Sequence, residues 1–368
     1  MLLLFIILSV HAGAAGVADA FDAMNIDARG ADAALYEAGG MIIPDISSRD
    51  VVGALISGTE LPGADEVFQK LYDLAFGELR AALKGAAAML AVIILCSIVT
   101  AAGSSFASGE VSRTADAVCV VSGALTMTLV LKDMISVCID TVSGGVSFIK
   151  ALTPTMVLLM FTGGDAVGAG TLEFRLFFII EAMAQAVEYF FIPLVCCRLA
   201  LCAADAVFDG IKLSGLAGLI KSALNFSLGL MLTVFTGFIT INRIAASVGD
   251  AAGKTVRFTV SNAVPVVGKI ISDSADLVIT YSHVIKSAFG VFGMTGVILI
   301  FLSPLIRIGA RLLIFRLAAA LSETLGSPRL CALFGGFAEA VTYIFSISVC
   351  VCVFLIITLG LTTWAGAK

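Results

Sequence analysis

Runs of 17 to 28 residues with few charges recur along this chain, and each is long enough to cross a bilayer core as a helix. They fall at 86–102, 115–131, 151–170, 174–201, 223–242, 286–306 and 338–362. A weaker block at 264–283 adds an eighth. The backbone in hydrocarbon must satisfy its own hydrogen bonds, which the helix does within one segment. Hydrophobic residues make up 60% of the chain and charged residues 13%, with mean hydropathy +1.08, which excludes a soluble globule. The expectation is an all-α, polytopic helical membrane protein with about eight transmembrane segments. Its natural surroundings are the membrane lipid bilayer. The formal charge of -5 does not suit a nucleic-acid binder.

The start of the chain differs from the rest. Residues 1–10, MLLLFIILSV, form a short apolar core, and small residues from Ala12 to Gly16 follow. That order predicts a signal peptide over 1–18, cleaved after export, although no Lys or Arg precedes the core. Residues 19–80 then form a small acidic extracytoplasmic region whose Asp and Glu residues read as a solvated face. Residues 81–368 are the polytopic membrane domain. Six of the nine cysteines (Cys96, Cys119, Cys196, Cys197, Cys350 and Cys352) lie inside apolar runs, where free Cys behaves as a small hydrophobe. With His11 and His283 the only histidines, neither a disulfide framework nor a metal site is predicted.

Two polar sets stand out against this background. Glu181, Gln185 and Glu188 fall at i, i+4 and i+7 inside FFIIEAMAQAVEYFFIPL, so they share a helical face. Ionisable residues in a span face a bundle interior, a partner or a water-filled cavity. They are therefore a polar lining of a conduit or an ion-coupling site, or else an interhelical hydrogen-bonding set or a subunit contact. Lys269, Asp273 and Asp276 repeat the spacing in NAVPVVGKIISDSADLVI, from Asn262 to Ile279. There a self-satisfying Lys–Asp ladder is the plainer account. Asp165 sits in the glycine-punctuated end of the 151–170 block, where Gly164 and Gly168 permit close helix contact.

An offset of 111 residues superposes Pro154 on Pro265 and Pro193 on Pro304, and sets Asp165 on Asp276. This suggests repeat units 115–222 and 223–336 followed by a final span at 338–362. With three crossings each, the units are inverted relative to one another. The four prolines are candidate helix breaks. Arginine placement agrees. With eight crossings, Arg307, Arg311, Arg316 and Arg329 join Arg113, Arg175, Arg243, Lys254 and Arg257 in the cytoplasm. Arg80, Lys84, Lys132, Lys150, Lys212 and Lys221 stay outside. The stretches 203–221 and 307–325 read as amphipathic.

No phosphate-binding loop, metalloprotease motif or serine-protease set is present in the sequence, so no enzyme, catalytic residue or cofactor is predicted. The segment VRFTVSNAVPVVGKIISDSADLVI, Val256 to Ile279, resembles the signature region of the stage III sporulation protein AE family. The block FGVFGMTGVILIFLSPLIRIGARLLIFRLAAAL is similar to that family too. The resemblance covers roughly residues 60–366. It implies a multi-pass component of the mother-cell membrane around the forespore, within a secretion-like channel complex required for forespore development. The implied partners are the other stage III sporulation A-operon proteins, including an ATPase and a ring-forming membrane protein. It supplies no catalytic residues. The rival reading is an autonomous secondary transporter for a small solute, suggested by the Pro-led paired segments and by Glu181 and Glu188.

Overall fold

The structure, a computed structural model, describes residues 29–39, 64–106, 109–162, 166–207, 213, 215–237, 267–325 and 327–364. Among them every regular element is helical. The order is α1 (Arg29–Gly39), α2 (Ala64–Phe106), α3 (Gly109–Thr162), α4 (Ala166–Ala186), a π turn (Val187–Phe191) and α5 (Ile192–Val207). Then come α6 (Gly215–Gly237), α7 (Val267–Thr324) and α8 (Pro328–Trp364). Hydroxyls inside the helices are satisfied locally: Thr126, Thr153, Ser227 and Thr358 each donate to the carbonyl four residues back. This is how Ser and Thr are accommodated in apolar helices.

Among the described residues six helices are long and apolar enough to cross a membrane, where the sequence predicts eight crossings. Two of the six join separate sequence blocks end to end. The 54 residues of α3 carry both 115–131 and most of 151–170, and the 58 residues of α7 carry most of 264–283 together with 286–306 and 307–325. The stretch 132–150, expected to be an exposed connection, is helix throughout. Its charged residues do not stop the helix: Asp133 and Lys150 find partners on neighbouring helices, and Lys132 and Asp140 are exposed. The expected breaks also resolve differently. Pro154 and Pro304 lie inside continuous helices, and Pro193 follows the π turn, where the Ile192 N–H donates to the Val187 carbonyl. Pro265, Asp165 and the signal-peptide residues 1–18 fall outside the described residues.

The helices align in a consistent register. On α3 and α7, Asp133 meets Arg307 and Arg311, and a Cβ on Gly293 would lie 3.0 Å from Leu152. The Ser282 hydroxyl lies 3.1 Å from that of Thr162. These pairs run antiparallel. Between Lys286 and Arg307, α7 has no charged residue, a length of ~31 Å at 1.5 Å per residue, matching a bilayer core of ~30 Å. Opposite it lie α3 residues 138–157. In the same tier α8 runs antiparallel to α7, with Gly360 near Met294 Sδ at 3.7 Å. There α6 follows α8 through Phe235 and Phe354, and α4 follows α3 through Glu181 and Lys150. Helix α1, from the acidic region, docks here too, burying Ala31 and Leu35.

Phe148, Phe289, Phe292 and Phe301 fill the tier's centre, all 2% exposed or less, with edge-on contacts of 6.1 Å and 6.2 Å. Beyond Arg307 lies a second apolar tier. It holds the ends of α2 and α3, with α7 and α8 packed through Phe315 and Phe337. At ~80 Å or more, α3 and α7 exceed one bilayer core more than twofold.

A charged belt separates the tiers. Asp133 accepts from Arg311 at 2.5 Å and Arg307 at 3.2 Å, and Glu78 lies 3.9 Å from Arg307. On the other side Glu339 of α8 pairs with Arg198 of α5, and with Lys221 of α6 at 3.1 Å. Tyr343 lies beneath the Arg198 guanidinium and donates to Asn225. Arg198 is 5% exposed, and its Nε and Nη1 have no hydrogen-bond partner among the described residues. Its charge therefore depends on Glu339.

Two consequences are measurable as unfolding midpoints of the detergent-purified chain. Replacing Glu339→Ala should cost about 2 kcal/mol, because a buried cation loses its counter-charge. Lys221→Ala, at the exposed end of the same pair, should cost under about 1 kcal/mol; the reverse order would contradict the belt. At Gly145 an added Cβ would stand 2.7 Å from Phe301 and 3.0 Å from Leu355, whereas at Gly229 it meets nothing within 4 Å. Gly145→Ala should therefore destabilise by about 1 kcal/mol through overpacking. Gly229→Ala should be neutral or stabilising by up to about 1 kcal/mol. Equal effects at the two sites would rule out that close helix approach.

Candidate functional site

The polar residues of α3 are not scattered. Asp133, Ser136, Asp140, Ser143, Ser147 and Lys150 recur at alternating steps of three and four, which places them on one helical face. The row is ~26 Å long, and its Asp140–Lys150 half lies opposite the charge-free stretch of α7. It faces α4 and the π turn, where Glu181, Gln185 and Glu188 share a face by the same spacing.

The two rows meet at an ion pair. Lys150 Nζ donates to Glu181 Oε2 at 2.7 Å and lies 4.6 Å from the centre of the Phe177 ring. Gln185 Nε2 donates to Glu181 Oε1 at 3.5 Å. Further along, the Ser136 hydroxyl donates to Asp140 Oδ2 at 3.2 Å. Between the rows is a groove of about 160 Å³, lined by Ser143, Ser147, Lys150, Glu181, Gln185 and Glu188 among apolar neighbours. Ser143, Ser147, Gln185 and Glu188 are exposed along it, and Asp140 is exposed about one turn further along α3.

The π turn decides where Glu188 points. It carries Glu188, and a wide turn of this kind shifts the register of the residues after it. Tyr189 and Phe190 are exposed there, while Val187 and Phe191 stay buried. The groove thus has an apolar floor, with Val142, Val146 and Val187 buried, and exposed polar residues along its sides.

Of the residues singled out from sequence, Glu181, Gln185 and Glu188 converge on this groove. Lys269, Asp273 and Asp276 lie on helical backbone in α7, but their side chains fall outside what the structure describes. Lys150, which the charge bias counted on the extracytoplasmic side, is the cation that pairs with Glu181. Asp133, Asp140, Arg198 and Glu339 were not singled out. The three-and-four spacing along α3 was a readable signal for the first two, whereas a lone Arg and a lone Glu on different helices give none. Among the described residues no set of His, Cys, Asp and Glu converges as a metal site.

Comparison with known proteins agrees with this architecture. Residues 46–366 match the family described as stage III sporulation protein AE. The chain is 25% identical to stage III sporulation protein AE of Bacillus subtilis (strain 168) over 334 residues, covering 89% of this chain and 82% of that protein. No solved structure matches it. A helical chain with six span-length helices, matched over most of its length, belongs to the stage III sporulation protein AE family.

Proposed function

We propose that this protein is an integral membrane subunit of the channel complex that links the mother cell to the developing forespore. In this reading it sits in the mother-cell membrane around the forespore. There it works with other proteins of its operon, an ATPase and a ring-forming membrane protein among them. The observation that carries the reading is the polar groove at membrane depth, held by Lys150 and Glu181, in a chain of a sporulation family. Intramembrane ionisable residues are costly and persist where they line a path or meet a partner. The chain acts through that lining and through contacts with its partners, not through bond-making chemistry.

One observation favours a second reading, a secondary transporter that works alone. A helix interrupted by a π turn before Pro193, beside the partly exposed Lys150–Glu181 ion pair, resembles the broken helices of transporter sites. Solute uptake by the purified chain in liposomes would select this reading. Co-purification with the operon's other products, without uptake, selects the channel subunit.

For the channel subunit, Glu181→Ala combined with Glu188→Ala should lower the yield of heat-resistant spores on the order of tenfold or more, the factor given by about 1.4 kcal/mol. The protein should remain abundant in the membrane. Exchanging the pair, Lys150→Glu with Glu181→Lys, should recover part of the yield lost in either single variant. Normal spore counts in the double alanine variant would reduce the groove to a packing feature.

A further inference from the structure

We propose that the seam between α3 and α4 is a water-filled, cation-selective wall, with Asp140 and Glu188 as the carboxylates that select. The inference rests on the channel reading and deepens it by naming the class of permeant: small cations, protons included.

The balance of charge comes first. Lys150 and Glu181 cancel as a pair at 2.7 Å. At the belt, Asp133 and Glu78 are balanced by Arg307 and Arg311. Between the ion pair and the belt, where Lys132 is exposed and has no ion-pair partner among the described residues, remain Asp140 and Glu188, neither with a cationic partner among the described residues. The ion pair and the belt lie ~26 Å apart along α3, so the uncancelled charge belongs to the seam and not to its mouths.

Wetness follows from exposure and depth. The Asp140–Ser147 part of the row is exposed and lies opposite the charge-free stretch of α7. Hydroxyls and carboxylates facing acyl chains there would lose their hydrogen bonds without replacement. The groove's 160 Å³ accommodates roughly five waters at ~30 Å³ each. Its polar groups supply the two to four partners each water needs. Ser136, donating to Asp140, orients one carboxylate along the row. Glu188 approaches from the opposite helix because the π turn carries it there.

The test uses the full-length chain with its native cysteines replaced, in membrane vesicles opened to both sides. Single thiols are introduced by Ser143→Cys and Ser147→Cys, with Val353→Cys and Ile357→Cys, exposed apolar positions on α8 away from both polar rows, as controls. Both serines are exposed and nearly isosteric with cysteine; unchanged membrane abundance and unfolding midpoint verify folding. Trimethylammonium-ethyl and sulfonatoethyl methanethiosulfonate serve as the cationic and anionic probes. At 143 and 147 the cationic probe should react about tenfold faster than the anionic one, as expected for uncancelled carboxylates within a Debye length. Asp140→Asn with Glu188→Gln should abolish that preference, and the control positions should stay unreactive. Thiols at 143 and 147 as inert as the controls would overturn the water-filled wall. Equal rates for both probes, or a preference that survives double neutralisation, would overturn the selectivity. These outcomes separate from the parent reading, because a sporulation defect without any probe preference keeps the channel subunit and removes only the cation wall.

Discussion

The bond pattern at Asp133 determines the heights of the other helices. One carboxylate on α3 accepts from Arg307 and Arg311, two residues a turn apart on α7 that present a fork of donors. A slip of one turn would leave Asp133 level with only one of the two guanidiniums. The antiparallel register that results sets Phe148 against Phe292 and Gly145 against Phe301, and brings Lys150 to the depth of the charge-free stretch of α7. Without that register the polar row on α3 would have no defined depth, and Glu181 no partner.

Much of the fold was legible because apolar length is a blunt and dependable signal. Helical class and membrane character follow from runs of span length, and the Glu181, Gln185 and Glu188 face follows from spacing alone. The span count did not follow, for a physical reason. Residues 132–150 include Lys132, Asp133, Asp140, Gly144 and Gly145, which lower the local hydropathy to that of a connection. Yet none of them stops the helix, with Asp133 paired across to α7 and Lys132 and Asp140 exposed. Hydropathy reports what surrounds a residue, not whether the backbone turns. Pairings across 174 residues, as between Asp133 and Arg307, leave no trace in local composition, and the same holds for Arg198 and Glu339.

The prolines carry a related lesson. A proline removes one backbone donor and crowds the preceding turn, yet membrane helices accommodate it when neighbouring groups absorb the disturbance. At Pro154 the helix continues to Thr162 without interruption. At Pro193 the preceding turn widens to a π turn. The same residue type gives two outcomes, and only the second reorients functional side chains.

Two apolar tiers on one pair of helices limit how the protein can sit. A single bilayer core of ~30 Å holds one tier. The tier between Lys286 and Arg307 is the one in which parts of α3, α4, α6, α7 and α8 lie side by side, five of the six span-length helices. With that tier in the bilayer, the belt falls at the membrane boundary, where partly hydrated ion pairs cost least. The groove then falls within the hydrocarbon depth, where exposed polar groups cost most. The chain places its best-paired charges at the boundary and an exposed polar row at depth. That order is the reverse of what stability alone would favour, the pattern expected where an intramembrane polar row lines a path or meets a partner.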